Sequence, residues 1–176
     1  MRKSGFSRQR RSFVAARRGI GIGVCAETHF RFHTAAAVGT VLLSLFYDFT
    51  GLHYAVLLLT IALVMAAELF NSAIERLADE QSPHYSATAA AIKDIAAGAV
   101  WVCAFYAVII GICLFSQPEG LSRLFRFFAC SAVRCLGVLM LATVLILYIY
   151  PGPVVLFRAL LRRRKKSDPS ERNRNS

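Results

Sequence analysis

The chain has 176 residues, of which 56% are hydrophobic, and its mean hydropathy is +0.51. This composition is too apolar for the surface of a water-soluble domain of that size, so it points to a membrane protein. The net charge of +11 does not indicate a nucleic-acid partner, because the basic run at residues 162–166 has no interleaved aromatic residues and no nucleic-acid-binding motif is present. Basic segments at both ends of an apolar chain instead predict that both termini face the cytoplasm.

The first half of the chain predicts a surface helix followed by two membrane spans. Residues 6–25 mix arginine with apolar side chains, which is typical of an amphipathic helix at the headgroups of an anionic leaflet. Residues 28–47 predict the first span, and residues 52–80 predict the second. The second helix would be about 42 Å long, so its polar lower part must project beyond the roughly 30 Å hydrocarbon core.

The next two segments predict a third span and an amphipathic stretch. Residues 86–115 open with an alanine-rich sequence whose small side chains allow close contact between helices. After a turn, residues 121–134 place Arg123, Arg126 and Arg134 on one face of a continuous helix. We therefore expect this stretch to lie partly in the membrane interface.

The end of the chain predicts a fourth span and a tail. Residues 135–157 form the span within an extra segment at 119–160, and residues 161–176 predict a basic, disordered tail. Four spans return the chain to the side on which it began, in agreement with the charge rule. The predicted fold class is thus all-α: a polytopic membrane helical bundle with an N-terminal interfacial helix and an extra C-terminal transmembrane helix.

A stripe of polar residues interrupts the second predicted span. Glu68, Asn71, Glu75 and Asp79 stand at i, i+3, i+7 and i+11, which places all four on one narrow face of a helix. Three carboxylates aligned in this way repel one another and lose hydration near a membrane unless a cation compensates. The pattern therefore predicts a cationic partner at this face.

Other charged residues fall at the same membrane depth. Lys93 and Asp94 begin the third span, and Glu27 and Arg31 begin the first. Taken alone, Arg31 or Arg76 is explained by snorkelling of a helix-end charge to the interface. Snorkelling does not explain an aligned set with an asparagine between two glutamates, so we interpret the set as a site.

The chemistry of these side chains favours phosphoryl transfer. Carboxylate oxygens suit Mg²⁺, which takes one or two of them and completes its shell with water and substrate phosphates. Magnesium, phosphate and a nearby lysine are typical of phosphoryl transfer, and a further carboxylate can accept the proton of an attacking hydroxyl. The chain has neither a P-loop nor the motif set of protein kinases.

Four short blocks of the sequence resemble the bacterial integral-membrane diacylglycerol kinases and undecaprenol kinases. They are AARRGI at 15–20, ETHFRFH at 27–33, ELFNSAIERLAD at 68–79 and KDIAAGAV at 93–100. The resemblance covers roughly residues 12–116 and implies a membrane lipid kinase domain at 1–118. It also implies three transmembrane helices and a surface helix per subunit, in a homotrimer whose sites are shared between neighbours.

The resemblance assigns roles that the spacing alone does not. It implies ATP as co-substrate, Mg²⁺ as cofactor, and diacylglycerol or undecaprenol as the membrane lipid alcohol, at the cytoplasmic face of the bacterial inner membrane. Glu68 resembles the general base, and Glu27 and Glu75 resemble the carboxylates that hold magnesium on ATP. The remaining positions of the nucleotide and catalytic region are matched by Arg17, Asn71, Asp79, Lys93 and Asp94. His33 is similar to the undecaprenol kinase branch.

Two other classes of protein are compatible with parts of the pattern. A small oligomeric transporter or channel component would account for several spans with membrane acids, but transport sites usually lie near the bilayer midplane. An inactive membrane scaffold derived from the kinase would account for the extra span. Ion flux without ATP consumption would favour the first class, whereas the carboxylates retained at every catalytic position argue against the second.

Overall fold

The computed structural model describes residues 5–81, 86–129 and 131–150, and its regular structure over these ranges is entirely α-helical. This confirms the predicted all-α class. The predicted tail at 161–176 and the end of the predicted fourth span lie outside the described residues. The helices of these described ranges, in chain order, are α1 (Gly5–Ala26), α2 (Thr28–Ser44), α3 (Gly51–Gln81), α4 (Ala87–Phe115), α5 (Pro118–Ala129) and α6 (Ala132–Ile149).

Helices α3 and α4 form the central hairpin of the fold and pack against each other more extensively than any other pair. They contain 31 and 29 residues, which corresponds to about 46 and 44 Å. Ser86 caps α4, because its hydroxyl accepts a hydrogen bond from the Ala89 N–H at 3.4 Å. Within the described ranges, α3, α4 and α6 are long and apolar enough to cross a membrane.

Helix α2 occupies the predicted first span but is short. Its 17 residues extend about 26 Å, which is less than the roughly 30 Å of a hydrocarbon core. It packs against α3 and α6 and connects to α3 through a turn that contains Asp48. Of the four predicted spans, three are helices of membrane-crossing length, and the crossing of the membrane by α2 stays a prediction.

The predicted amphipathic stretch at 121–134 is wrong in its extent. Helix α5 begins at Pro118, a residue suited to the first helical position, and ends at Ala129. Ser131 has an extended backbone (φ −164°, ψ 119°) and stands immediately before α6. Arg134 therefore belongs to α6 and does not share a helix with Arg123. The new helix starts here without glycine or proline, and Ser131 stands at the N-cap position without a side-chain capping hydrogen bond.

Helix α5 is fixed to the turn between α2 and α3 at the end of the bundle opposite the predicted site. The Arg123 guanidinium donates to both carboxylate oxygens of Asp48, at 2.8 and 2.7 Å. This bidentate pair lowers the pKa of Asp48 through the hydrogen bonds from Arg123. Gly120 lies directly on the Tyr47 ring, where an added Cβ would come within 2.2 Å of Cδ1. Only a glycine permits so close an approach.

Helix α6 then returns alongside α2 to the other end of the bundle, where it meets Arg31. This side chain is only 5% exposed. Its Nε donates to the Ile149 carbonyl at 2.8 Å and its Nη2 donates to the Thr28 hydroxyl at 2.9 Å. Nη1 faces the Val24 and Cys25 carbonyls, at 3.4 Å each. The snorkelling interpretation of Arg31 is therefore wrong, because the guanidinium is buried against the C-terminal carbonyls of two helices.

Candidate active site

Glu27 marks the break between α1 and α2 and faces α3. Its backbone is extended (φ −101°, ψ 118°), and its side chain makes no capping hydrogen bond to α2. The carboxylate instead accepts a hydrogen bond from Nη2 of Arg76 at 2.6 Å. Arg76 is thus an ion-pair partner that joins α3 to the α1–α2 junction, where the sequence suggested only snorkelling.

The polar stripe on α3 descends from a buried end to an exposed end. Glu68 is 4% exposed and Asn71 is 9% exposed, whereas Glu75 is half-buried and Asp79 is exposed. Glu68 lies within electrostatic reach of Glu27 and His29 at the start of α2, whereas Asp79 is close to the C-terminal end of α3. The stripe predicted from the spacing is therefore one face of α3.

The Glu68 side chain is largely buried, and its carboxylate accepts no hydrogen bond from the described residues. The carboxylates of Glu75 and Glu27 and the imidazole of His29 all lie near enough to interact with it electrostatically. His29 is not among the predicted site residues, although its place two residues after Glu27 in the first turn of α2 was a usable signal. A buried, unpaired carboxylate readily accepts a proton, because protonation removes a poorly solvated charge.

Asn71 is hydrogen-bonded to Glu75 and leaves one acceptor unused. Its Nδ2 donates to Glu75 Oε1 at 2.9 Å. Its Oδ1 is buried and has no hydrogen-bond partner among the described residues. An unsatisfied buried carbonyl oxygen calls for an explanation, and a cation or a bound donor is the usual one. The stripe thus presents an unused hard oxygen ligand beside Glu75.

The remaining predicted residues divide into those that contact the stripe and those that do not. Lys93 of α4 forms an ion pair with Asp79. Asp94 is exposed on α4, and Arg17 is exposed on α1. Within the described residues, neither of these two makes a hydrogen bond or ion pair to the stripe. The structure therefore brings together most of the predicted set: Glu27, Glu68, Asn71, Glu75, Asp79 and Lys93.

A divalent metal fits this donor set only with help from a ligand. In the part of the chain that the structure describes, no three His, Cys, Asp or Glu side chains are close enough to hold an ion by themselves. Magnesium commonly needs only one or two carboxylates when phosphates supply the rest of its shell. Glu75, Glu27 and the free Oδ1 of Asn71 meet that smaller requirement.

The fold and the site together define a polytopic helical membrane protein with an acidic site near one end of its central hairpin. A family model for prokaryotic diacylglycerol kinase matches residues 14–115, which include α2, α3 and α4 and most of α1. The chain belongs to this family, and it is a lipid kinase. Helices α5 and α6 lie outside the matched region.

Two curated relatives are similar to the chain. The undecaprenol kinase of Bacillus subtilis (strain 168) is 36% identical over 105 residues, which are 60% of this chain and 85% of that protein. The diacylglycerol kinase of Synechocystis sp. (strain ATCC 27184 / PCC 6803 / Kazusa) is 39% identical over 110 residues, or 61% of this chain and 62% of that protein. No solved structure matches the chain significantly. The resemblance proposed from the four sequence blocks is confirmed.

Proposed function

We propose that the protein transfers the γ-phosphoryl group of magnesium ATP to the hydroxyl of a membrane lipid alcohol, either diacylglycerol or undecaprenol. The names of its two relatives support these two alcohols. The observation that carries the proposal is the buried Glu68 side chain. Its carboxylate has no hydrogen-bond donor among the described residues, and it lies near Glu27 at the start of α2 and near Glu75 on α3.

Glu68 is the general base in this proposal. Its carboxylate accepts the proton of the lipid hydroxyl while that oxygen forms a bond to the γ-phosphorus, and the bond to the β-phosphate oxygen breaks to release ADP. The buried position suits the role, because a weakly solvated carboxylate needs little reorganisation to take up the proton. Burial also excludes water, which would otherwise compete with the lipid as acceptor.

Glu27 and Glu75 hold the magnesium of the nucleotide, and Asn71 Oδ1 adds a neutral oxygen. When bound, the metal neutralises charge on the phosphate oxygens. Arg76 and Asn71 orient the two carboxylates through hydrogen bonds at 2.6 and 2.9 Å. We assign Lys93, Asp79, Asp94 and Arg17 to the surrounding nucleotide site, in line with the family resemblance.

The protein works at the cytoplasmic face of the bacterial inner membrane, with both termini on that side. The basic α1 and the run at residues 162–166 support this orientation. The nucleotide site is shared between subunits of a homotrimer. The resemblance to the membrane lipid kinase family supports this arrangement.

A phosphorylation assay tests the proposal. The purified full chain in mixed micelles receives γ-labelled ATP and Mg²⁺, together with diacylglycerol, undecaprenol or no lipid. Labelled lipid phosphate should form with at least one alcohol and should disappear when EDTA removes the metal. The proposal is refuted if neither alcohol is labelled by protein that remains folded and monodisperse in the same detergent.

A further inference from the structure

An apolar groove of 390 Å³ opens between α2, α3 and α4. Its lining on α3 ends at Val64 and Met65, within about one helical turn of Glu68. Val64 and Glu68 are both buried and are one helical turn apart on the same face of α3. The groove therefore begins where the reacting hydroxyl of a lipid would lie and runs away from it along the bundle.

The dimensions of the groove fit one hydrocarbon chain. Its lining extends from Phe32 to Leu43 on α2 and from Ala104 to Phe115 on α4, so its length is about 16 Å. A single acyl or prenyl chain lying along the bundle matches a groove of this length and volume.

The chemistry of the lining agrees with a hydrocarbon occupant. Thr40 and Thr60 line the groove, but their hydroxyls donate to carbonyls of their own helices at 2.7 and 2.8 Å. His33 lies at the mouth, half-buried, one turn from His29. The groove therefore offers a polar group only near the reacting end, and the remaining surface is apolar.

The far end of the groove is closed by a braced aromatic cluster, which we define as Tyr47, Phe49 and Phe115. Phe115 lines the groove, and its ring meets Tyr47 edge-on at 5.0 Å and Phe49 at 5.2 Å. Gly120 of α5 lies against the Tyr47 ring, and the ion pair between Arg123 and Asp48 holds α5 in this position. The floor of the groove is thus supported by a helix outside the family match.

We propose that this α5-braced floor sets the length of the hydrocarbon chain that the groove accepts from the lipid alcohol. The inference rests on the proposed lipid kinase function and deepens it. With C–C bonds of about 1.5 Å at tetrahedral angles, each carbon advances a chain by about 1.25 Å, so the groove holds about 13 carbons. Longer chains must leave sideways into the bilayer where they meet the aromatic cluster.

Photo-crosslinking tests the occupant directly on the wild-type protein. The deep probe is a diacylglycerol with a diazirine at the depth of the floor. The two shallow probes are a diacylglycerol with a diazirine next to the ester and a polyprenol with a diazirine in an early isoprene unit. The deep diacylglycerol probe should label peptides of the aromatic cluster, and the shallow probes should label the region of His33. Labelling of the outer face of α4 around Trp101 by all probes would overturn the proposal.

Chain-length profiles test the role of the floor. A series of saturated diacylglycerols of increasing length should give a wild-type kcat/KM that rises until the groove is filled and then stops rising. Phe115→Ala removes about 4 Å of ring and should move this limit by about three carbons. Phe105→Ala, on the lipid-exposed side of the same helix, is the matched control and should leave the limit unchanged.

The outcomes separate the inference from the function on which it rests. If no alcohol is phosphorylated, the proposed function fails, and the crosslinking pattern still decides whether a lipid chain occupies the groove. If alcohols are phosphorylated but Phe115→Ala and Phe105→Ala give the same profile, the floor does not set chain length. If Phe115→Ala does not fold, Phe115→Trp should shorten the limit, and an unchanged limit there contradicts the proposal.

Discussion

Replacement of Glu68 by glutamine should change turnover and stability in opposite directions. The substitution keeps the size of the side chain and removes its ability to accept a proton. A general base contributes about 100-fold to 10,000-fold to rate, which corresponds to about 2.7–5.4 kcal/mol of activation free energy. We therefore expect kcat to fall by that factor while the lipid KM stays nearly unchanged.

The stability effect follows from the burial of the carboxylate. Glu68 is 4% exposed and has no hydrogen-bond donor among the described residues, and it lies near the charges of Glu27 and Glu75. A neutral amide avoids both the desolvation of a charge and the repulsion. Relief of strain at such a site typically raises the free energy of unfolding by about 0.5–2 kcal/mol.

The assay compares label transfer and thermal unfolding for the same detergent preparations. Glu80→Gln is the matched control, because Glu80 is exposed near the end of α3 and lies about 120° around the helix from Glu68. It should change neither quantity. The reasoning is refuted if Glu68→Gln keeps most of the wild-type turnover, or if it loses turnover and stability together as a residue with a packing role would.

Three further changes test other contacts. Glu75→Gln should raise the Mg²⁺ concentration required for half-maximal activity several-fold, measured by metal titration at saturating ATP. Arg31→Gln removes two hydrogen bonds that the charged guanidinium donates to the Ile149 carbonyl and the Thr28 hydroxyl. It should lower the free energy of unfolding by about 2–4 kcal/mol, which chemical denaturation measures. Asp48→Asn should destabilise the protein at neutral pH. Arg123 lowers the pKa of Asp48, so the wild type should be more stable than Asp48→Asn by the full amount above the usual carboxyl pKa. This difference in stability should vanish as the pH falls through the lowered pKa, which thermal unfolding at a series of pH values measures.

Local patterns in the sequence were sufficient for most of the fold and for the main face of the site. The offsets from Glu68 to Asp79 identified one face of α3, because helical periodicity is a property of consecutive residues. The turn signal at residues 48–51 located the boundary between α2 and α3 for the same reason. The common depth of Lys93 and the polar stripe followed from the antiparallel arrangement of two successive helices, whereas the ion pair of Lys93 with Asp79 was not predicted.

Contacts between distant segments were beyond such reasoning. Arg31 donates to Ile149, which is 118 residues away, and no local pattern indicates which carbonyl a buried arginine will meet. The close approach of Gly120 to Tyr47 depends in the same way on how α5 folds back. The start of α6 was a different failure, because Ser131 was a visible N-cap signal that the regular spacing of three arginines obscured.

Helix α6 also has a consequence for the surrounding lipid. Its 18 residues extend about 27 Å, a few ångströms less than an average bilayer interior. Lipids next to a short helix accommodate the mismatch by local thinning, at a fraction of a kcal/mol for each ångström. Because α6 runs beside α2, this depression in the leaflet borders one wall of the groove, and it brings the headgroup plane closer to the hydroxyl of an incoming alcohol.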